Sequence, residues 1–455
     1  MAKRLFGTDG IRGVAGSAPL DDPTVFSLGV ALGTVARSLS SRPEVIIGMD
    51  TRESSPRIAA QVAGGLRHAG VAAQMAGLIT TPGVAYLTNQ LPVVAGVMIS
   101  ASHNHYRDNG IKVFGHSGFK LPDDEETAIE EEIFRQLAAG VPCDPSELPI
   151  NQGLDEKYLV HLLNVVGGDS LFRGRRVVLD CGNGAASFLA PELFRRAGAE
   201  VFVLNAEPDG FNINLECGAL HPEGLQRAVV AHGADLGVAF DGDADRAIFV
   251  AGSGKAVDGD AVLLIGGRHL KSQNRLPGDL VVATVMSNLG LEKALESLGI
   301  RLTRTAVGDK YVLEEMIRSG ATLGGEQSGH VIFREFATTG DGMLTALRVL
   351  EIVCQTGASL DDLASGMKVY PQQLVNVRVR ERKALNEIPR VAAEIAACEE
   401  AMGGSGRVLV RFSGTEALAR VMVEAENPDH VERYTRSIAA AIEHEIGLNS
   451  AAAIT

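Results

Sequence analysis

RRVVLDCGNGAASFLAPELFRRAGAEVFVLN, residues 175–205, begins with a short Val-rich run, breaks at a Gly-containing turn and continues with apolar positions at helical spacing. Gly198 closes the helical part, and a second apolar run follows. The order is strand, turn, helix, closing glycine, strand. The same order recurs in EVIIGMDTRESSPRIAAQVAGGLRHAGVAAQMAG, residues 44–77, closed by Gly70, and in GDLVVATVMSNLGLEKALESLGIRLTRTAVGD, residues 278–309, closed by Gly299. A helix between two apolar strands is the long connection that parallel neighbours require.

Three copies of this pattern predict three related α/β domains with mixed or parallel sheets: domain I over residues 1–150, domain II over 151–257 and domain III over 258–370. After Tyr370 the pattern changes. LVNVRVRER alternates as a half-exposed strand, a helix is expected from about Glu387 to Met402, and RVLVRFSG and ARVMVEAE read as two more strands before a final helix. Residues 371–455 are therefore expected to form a smaller α+β domain IV with an antiparallel or mixed sheet.

Composition narrows the function classes. The 455 residues are 45% hydrophobic and 22% charged, as in an ordinary globular protein with several cores. The five cysteines are scattered with no C-x-x-C pair, so neither a disulfide framework nor a zinc ribbon is expected. The cytosol is the expected compartment, with no signal peptide and no apolar run of membrane-spanning length. A net charge of -14 argues against nucleic-acid binding, although local basic residues can still bind a small anion. The acidic stretch DDEETAIEEE (123–132) reads as a solvated helix face.

Chemistry concentrates in a few loops. In VMISASHNHYRDNG (97–110), an apolar run stops at Ser100 and Ser102, beyond a strand end where open α/β sheets place functional groups. In DGDADR (241–246), an extended backbone would send Asp241, Asp243 and Asp245 to one side, where their mutual repulsion calls for a hard cation such as magnesium. An EF-hand loop fits poorly, since Arg246 would stand where Gly is required and Gly252 where Glu is. In GGEQSGH (324–330), Glu326 and Ser328 could hydrogen-bond a polyhydroxylated ligand. In RVLVRFSGTEALAR (407–420), Arg411 and Arg420 flank Ser413, Gly414 and Thr415, a pattern suited to clamping a phosphate. FGTDGIRG (6–13) offers Arg12 as a further anion contact. CGNGAAS lacks the third glycine of a dinucleotide fingerprint, and GSGKAV lacks the first glycine of a Walker loop.

ISASHN, DGDADR, GEQSGH and RFSGTE, in this order and at these separations, resemble the α-D-phosphohexomutase superfamily over essentially the whole chain. FGTDGIRG and the Gln of GEQSGH are similar to its amino-sugar branch rather than its mannose and glucose branch. The resemblance implies interconversion of glucosamine 6-phosphate and glucosamine 1-phosphate, feeding UDP-N-acetylglucosamine and cell-wall synthesis. It implies Ser102 as the phosphorylated residue, glucosamine or glucose 1,6-bisphosphate as intermediate or activator, and magnesium (Mg2+) held by the Ser102 oxygen with Asp241, Asp243 and Asp245. Arg12, Arg246 and Lys112 would neutralise the transferred group, with Lys112 and His103 both open as the proton shuttle. Glu326, Ser328 and His330 would hold the sugar, and Arg411, Ser413, Gly414, Thr415 and Arg420 the phosphate that does not react. The expected partner is a small sugar phosphate, with no nucleic acid or membrane and with homodimerisation open. The alternatives are a phosphomannomutase or phosphoglucomutase using the same machinery, a metal-dependent sugar phosphatase and a non-catalytic sensor. His105 and Ala417 stand where the family commonly has proline, so both loops are expected to be less pre-organised.

Overall fold

The computed structural model describes residues 5–7, 9–168, 170–413 and 417–448. Its first sheet contains β1 (Phe6–Gly7), β2 (Gly10–Val14), β3 (Glu44–Met49), β4 (Ala72–Leu78), β5 (Ala95–Ile99) and β6 (Asp108–Gly115), in the order β1-β2-β6-β5-β3-β4. The second contains β7 (Arg176–Asp180), β8 (Glu200–Leu204), β9 (Leu236–Phe240), β10 (Ala247–Ala251) and β11 (Ala256–Val257), in the order β11-β10-β9-β7-β8. The third contains β12 (Leu280–Thr284), β13 (Arg301–Thr305), β14 (Leu323–Gly325) and β15 (Val331–Phe333), in the order β13-β12-β14-β15.

The three sheets share one connectivity. The first strand of each repeat (β3, β7, β12) lies between the second (β4, β8, β13) and the third (β5, β9, β14), parallel to both. A fourth strand (β6, β10, β15) then returns antiparallel to the third. The sheets are therefore mixed, with their parallel strands central. Val45, Ile46 and Ile47 of β3 are all fully buried, as expected of a parallel strand covered on both faces. The closing glycines Gly70, Gly198 and Gly299 all take positive φ.

Helices Asp22–Leu39, Ser55–His68 and Asp123–Ala139 join the first sheet in one apolar cluster that includes Leu28, Ile47, Val62, Val97 and Ile133. Only part of the acidic helix is a solvated face. Asp123, Asp124 and Glu125 are exposed, but Glu126, Glu130 and Glu132 are buried. Glu130 Oε1 accepts the backbone N–H groups of Leu5 at 2.8 Å and Phe6 at 2.7 Å, tying the N-terminal strand to the helix.

Contacts divide the chain into two compact units, Met1–Met286 with Leu298–Gly366, and Ser287–Ser297 with Met367–Thr455. The helix Leu289–Ser297, read from sequence as part of the third repeat, thus groups with the C-terminal unit. There β16 (Gln372–Arg378), β17 (Gly406–Phe412) and β18 (Leu418–Ala425) form an antiparallel sheet in the order β16-β18-β17. Helices Pro389–Met402 and Pro428–Ile446 share its apolar cluster, with Val391, Val421, Ile438 and Ile442 at the centre. The first of these starts two residues later than expected, at Pro389, whose fixed φ suits the first helical position. Among the described residues no helix is long and apolar enough to cross a membrane.

Candidate active site

In each of the three mixed sheets the motif loop occupies the same place, between the third strand and its antiparallel return. Residues 100–107 join β5 to β6, 241–246 join β9 to β10, and 326–330 join β14 to β15. The loops follow the carboxyl ends of parallel strands, where α/β sheets leave a crevice. The first two loops meet closely. A Cβ added at Gly242 would lie 2.4 Å from the Ser102 carbonyl oxygen, so only glycine permits the approach.

Ser102 is almost fully buried and takes a left-handed backbone, φ 53°. Its hydroxyl donates to Asp241 Oδ2 at 2.5 Å and lies 3.2 Å from His103 Nδ1. Ser100 does not share this position. Its hydroxyl points back to Asp50 Oδ2 at 2.7 Å and accepts the Ser102 N–H at 2.9 Å, which leaves Ser102 as the serine facing the aspartates. The Arg246 guanidinium lies 3.1 Å from His103 Nδ1. Burial and the charges of Arg246 and Arg12 push the His103 imidazole down to about 4, so the ring is neutral near neutral pH. Arg12 pairs with Asp9 and reaches Asn104 Oδ1 at 3.5 Å.

Asp241, Asp243 and Asp245 converge, with one carboxylate oxygen of each within 4.8 Å of the others, all buried. Their convergence does not come from an extended strand, as the period of two implied. The segment is a turn, with Ala244 at φ 56°, that folds the three side chains inward. Burial, then repulsion from Asp245 and Asp243, holds the Asp241 carboxyl well above the usual range. Burial also pushes Asp245 up, but Lys112, His330 and Arg246 together hold it well below that range.

Lys112 Nζ lies 2.9 Å from Asp243 Oδ2, 3.2 Å from Asp245 Oδ2 and 3.1 Å from Asp9 Oδ2. Burial alone would lower its pKa, but these three carboxylates raise it well above the ordinary lysine value, so the group is a fixed cation. Thr81 also donates to Asp243 Oδ2. The second oxygens, Asp243 Oδ1 and Asp245 Oδ1, are buried with no hydrogen-bond partner among the described residues. Buried carboxylate oxygens left in that state fit a hard divalent cation.

The third loop is partly assembled. Glu326 Oε1 accepts the Gly308 N–H at 3.1 Å, and the exposed Ser328 hydroxyl lies 3.4 Å from Glu326 Oε2. His330 is turned away from them. It is 2% exposed, its Nε2 accepts the Gly340 N–H at 3.1 Å, and its Nδ1 faces Asp245 Oδ2 at 3.7 Å. In the C-terminal unit, Arg411 and Arg420 are directly opposed across β17 and β18, and Ser413 is buried at the end of β17. Like charges opposed on a strand pair repel, which favours an anion between them. Burial, then the Arg420 charge, lowers the Arg411 pKa. Thr8, Gly414 and Thr415 lie outside the described residues.

Sequence reasoning missed Asp50, Arg52, Thr81, Asn214, Lys120 and Asp309. Lys120 bridges Asp9 and Asp309, and Asn214 donates to the Ser102 carbonyl at 3.0 Å. Asp50 and Arg52 carried a usable signal, since DTRESS follows a Val/Ile run as ISASHN does.

Family models described as phosphoglucomutase/phosphomannomutase alpha/beta/alpha domains I, II and III and C-terminal domain match residues 3–139, 156–254, 258–370 and 374–441. The chain is 62% identical over 447 residues to a phosphoglucosamine mutase of Solibacter usitatus, covering 98% of this chain and 100% of that protein. It is 51% identical over 454 residues to a phosphoglucosamine mutase of Koribacter versatilis, covering 98% of each. Among solved structures it is similar to a phosphoglucomutase/phosphomannomutase family protein from Burkholderia thailandensis, with TM-score 0.79, 25% identity and coverage of 97% of this chain and 99% of that one.

Proposed function

Because the chain belongs to the phosphoglucomutase/phosphomannomutase family, we propose that it interconverts glucosamine 6-phosphate and glucosamine 1-phosphate through a phosphorylated Ser102. The observation that carries this reading is the Ser102 hydroxyl, 2.5 Å from Asp241 in a buried cluster of three aspartates, two of whose oxygens have no hydrogen-bond partner among the described residues. Full-length identity to proteins named phosphoglucosamine mutase supports the choice of sugar.

In the forward direction the sugar O1 hydroxyl attacks phosphorus on Ser102. The Oγ–P bond breaks, an O1–P bond forms and the O1 proton ends on the Ser102 oxygen. The resulting glucosamine 1,6-bisphosphate turns over; its O6–P bond breaks as an Oγ–P bond forms on Ser102, and the serine proton ends on O6, releasing glucosamine 1-phosphate. Such a transfer needs alignment and charge neutralisation more than a strong base. Asp241, Asp243 and Asp245 would hold Mg2+, which when bound supplies positive charge to the phosphoryl oxygens. Lys112 is committed to Asp9, Asp243 and Asp245, which leaves the neutral His103, 3.2 Å from Ser102 Oγ, as the better placed proton carrier. Arg246 and Arg12 would neutralise the transferred group, Glu326 and Ser328 would hold sugar hydroxyls, and in the C-terminal unit the opposed Arg411 and Arg420 with Ser413 would suit a phosphate. His330 keeps a supporting role behind the metal loop. On this reading the domains at 1–150, 151–257, 258–370 and 371–455 each carry one of the motif loops.

A coupled assay with glucosamine 1-phosphate, glucose 1-phosphate and mannose 1-phosphate tests the sugar. The highest kcat/KM is expected for glucosamine 1-phosphate, and a higher value for mannose 1-phosphate would overturn the choice. Ser102→Ala should abolish turnover while leaving the circular dichroism spectrum unchanged. Substantial residual turnover would remove Ser102 as the phosphoryl carrier.

A further inference from the structure

Arg52 follows the carboxyl end of β3, and its side chain is 0% exposed. A guanidinium has five N–H donors in a fixed plane, and every one of them is used. Nε donates to Asp50 Oδ2 at 2.8 Å. Nη1 donates to the carbonyls of His105 at 2.6 Å and Asp108 at 3.0 Å. Nη2 donates to the carbonyls of Ser102 at 2.9 Å and Asn104 at 2.9 Å. Asp50 is equally saturated: it accepts from Arg52 N and Nε, from the Ser55 hydroxyl at 2.8 Å and from the Ser100 hydroxyl at 2.7 Å. A saturated, charge-paired arginine has no capacity left for a substrate phosphate.

We propose that Arg52 is the positioning residue of the phosphoryl-carrying loop, holding Ser102 in its reactive place by gathering four carbonyls of the segment 102–108 onto one buried cation. The proposal rests on the reading of Ser102 as the phosphoryl carrier. Turning the carbonyls of Ser102, Asn104, His105 and Asp108 inward leaves the Ser102 side chain to face Asp241. Ser102 sits at φ 53°, a conformation that a non-glycine residue keeps only where its surroundings over-determine it. Those surroundings are Arg52 and Asn214 on its carbonyl and Ser100 on its N–H. The proline common in related loops would restrict this segment through its ring. Here His105 stands in that place, and its carbonyl is one of the four that Arg52 holds. The guanidinium thus restrains the loop from beneath, and it does so without touching the reacting atoms.

The test uses the full-length protein as Arg52→Lys and Arg52→Met, with Ser102→Ala as the control. Three quantities are measured: kcat and KM for glucosamine 1-phosphate, Ser102 phosphorylation by intact mass, and backbone amide exchange across 100–108 and the rest of the first sheet. Misplacing a reacting group by about 1 Å can cost on the order of a hundredfold. Both Arg52 variants are therefore expected to lose about 10–100-fold in kcat, with KM little changed, slower re-phosphorylation of Ser102, and faster exchange confined to 100–108. Arg52→Lys keeps a charge beside Asp50 but lacks the planar fork, so it carries the test alone if Arg52→Met fails to fold. A kcat near the parent value, in a protein that Ser102→Ala silences, would overturn the inference alone. So would a loss of kcat with exchange rising evenly through the sheet, the mark of a merely structural arginine. Turnover surviving in Ser102→Ala would overturn the phosphoserine reading, and with it the purpose assigned to Arg52.

Discussion

Replacing Lys112 with Met isolates the charge that holds the aspartate cluster together. The ammonium lies 2.9, 3.1 and 3.2 Å from carboxylate oxygens of Asp243, Asp9 and Asp245, and the side chain is 1% exposed. Methionine is unbranched and adaptable, so packing changes little and charge changes most. Deleting one member of a buried ion pair costs about 3–5 kcal/mol, because the partner is left uncompensated. The three partners here retain other support. Asp9 keeps Arg12 and Lys120, Asp243 keeps the Thr81 hydroxyl, and Asp245 keeps Arg246 at 3.8 Å and His330 at 3.7 Å. The loss therefore belongs near the lower bound, about 3 kcal/mol, or roughly a hundredfold in the unfolding constant. The chain has no Trp, so urea unfolding is best followed by far-UV circular dichroism. Magnesium added to both proteins should narrow the gap, because a ligand bound only by the native state stabilises it and the variant's carboxylates lack their resident cation. Unfolding within about 0.5 kcal/mol of the parent without magnesium, the range of an inert surface change, would refute the reasoning. So would a gap that magnesium widens.

Asp243→Asn should raise the magnesium concentration for half-maximal rate and lower kcat together; identical magnesium titrations in the two proteins would exclude Asp243 as a ligand. Glu130→Ala leaves the N–H groups of Leu5 and Phe6 without their carboxylate acceptor and should cost about 2–4 kcal/mol, read as a lower urea midpoint. Asp341 accepts from the Tyr158 hydroxyl at 2.8 Å and the Leu344 N–H at 2.9 Å, and burial pushes its carboxyl up from 3.8 to about 6. A raised folded-state pKa means that the native state holds the proton more tightly. Its contribution is fully present below about pH 3.8 and is lost as pH rises through about 6, by up to about 3 kcal/mol. Asp341→Asn should flatten that part of the stability profile, and an unchanged slope between pH 4 and pH 7 would count against the assignment.

What the sequence reveals and what it hides divide along the range of the interaction. The three repeats were legible because Val and Ile runs, helical spacing and closing glycines are local signals, and the sheets follow from them. The loops were legible because polar residues crowd directly behind apolar runs. Lys112 carries no such signal for its partners: it interrupts the apolar run NGIKVF and meets Asp243, which is 131 residues away. For Arg52 the Val/Ile run before DTRESS marks the loop, but not the carbonyls of 102–108 that its side chain gathers. The aspartates were grouped correctly, but for a reason the backbone does not follow, since Ala244 at φ 56° makes a turn where an extended run was expected. His330 shares a short motif with Glu326 and Ser328, yet the loop turns its ring inward against Gly340 and Asp245. The membership of Ser287–Ser297 in the C-terminal unit depends on contacts such as the Leu289 N–H to Glu424 at 2.9 Å, which no local pattern announces.

The repeated connectivity explains why dissimilar chemistry gathers at equivalent loops. A turn between the third strand and its antiparallel return is hydrogen-bonded into the sheet on both sides, whereas a turn entering a crossover helix is anchored in the sheet on one side only. Groups carried there are therefore anchored at both ends of the turn. That matters most where residues 100–107 meet 241–246. On the phosphoserine reading, a phosphoryl group on Ser102 would place negative charge beside Asp241, whose Oδ2 is already 2.5 Å from the Ser102 oxygen. Lys112 is committed to the far oxygens of Asp243 and Asp245, and Arg52 is saturated by carbonyls and Asp50. Neither can move in to neutralise the phosphoryl group without breaking the structure that positions it. The unsatisfied Asp243 Oδ1 and Asp245 Oδ1 therefore point to a need that an added cation meets better than any residue of the cluster.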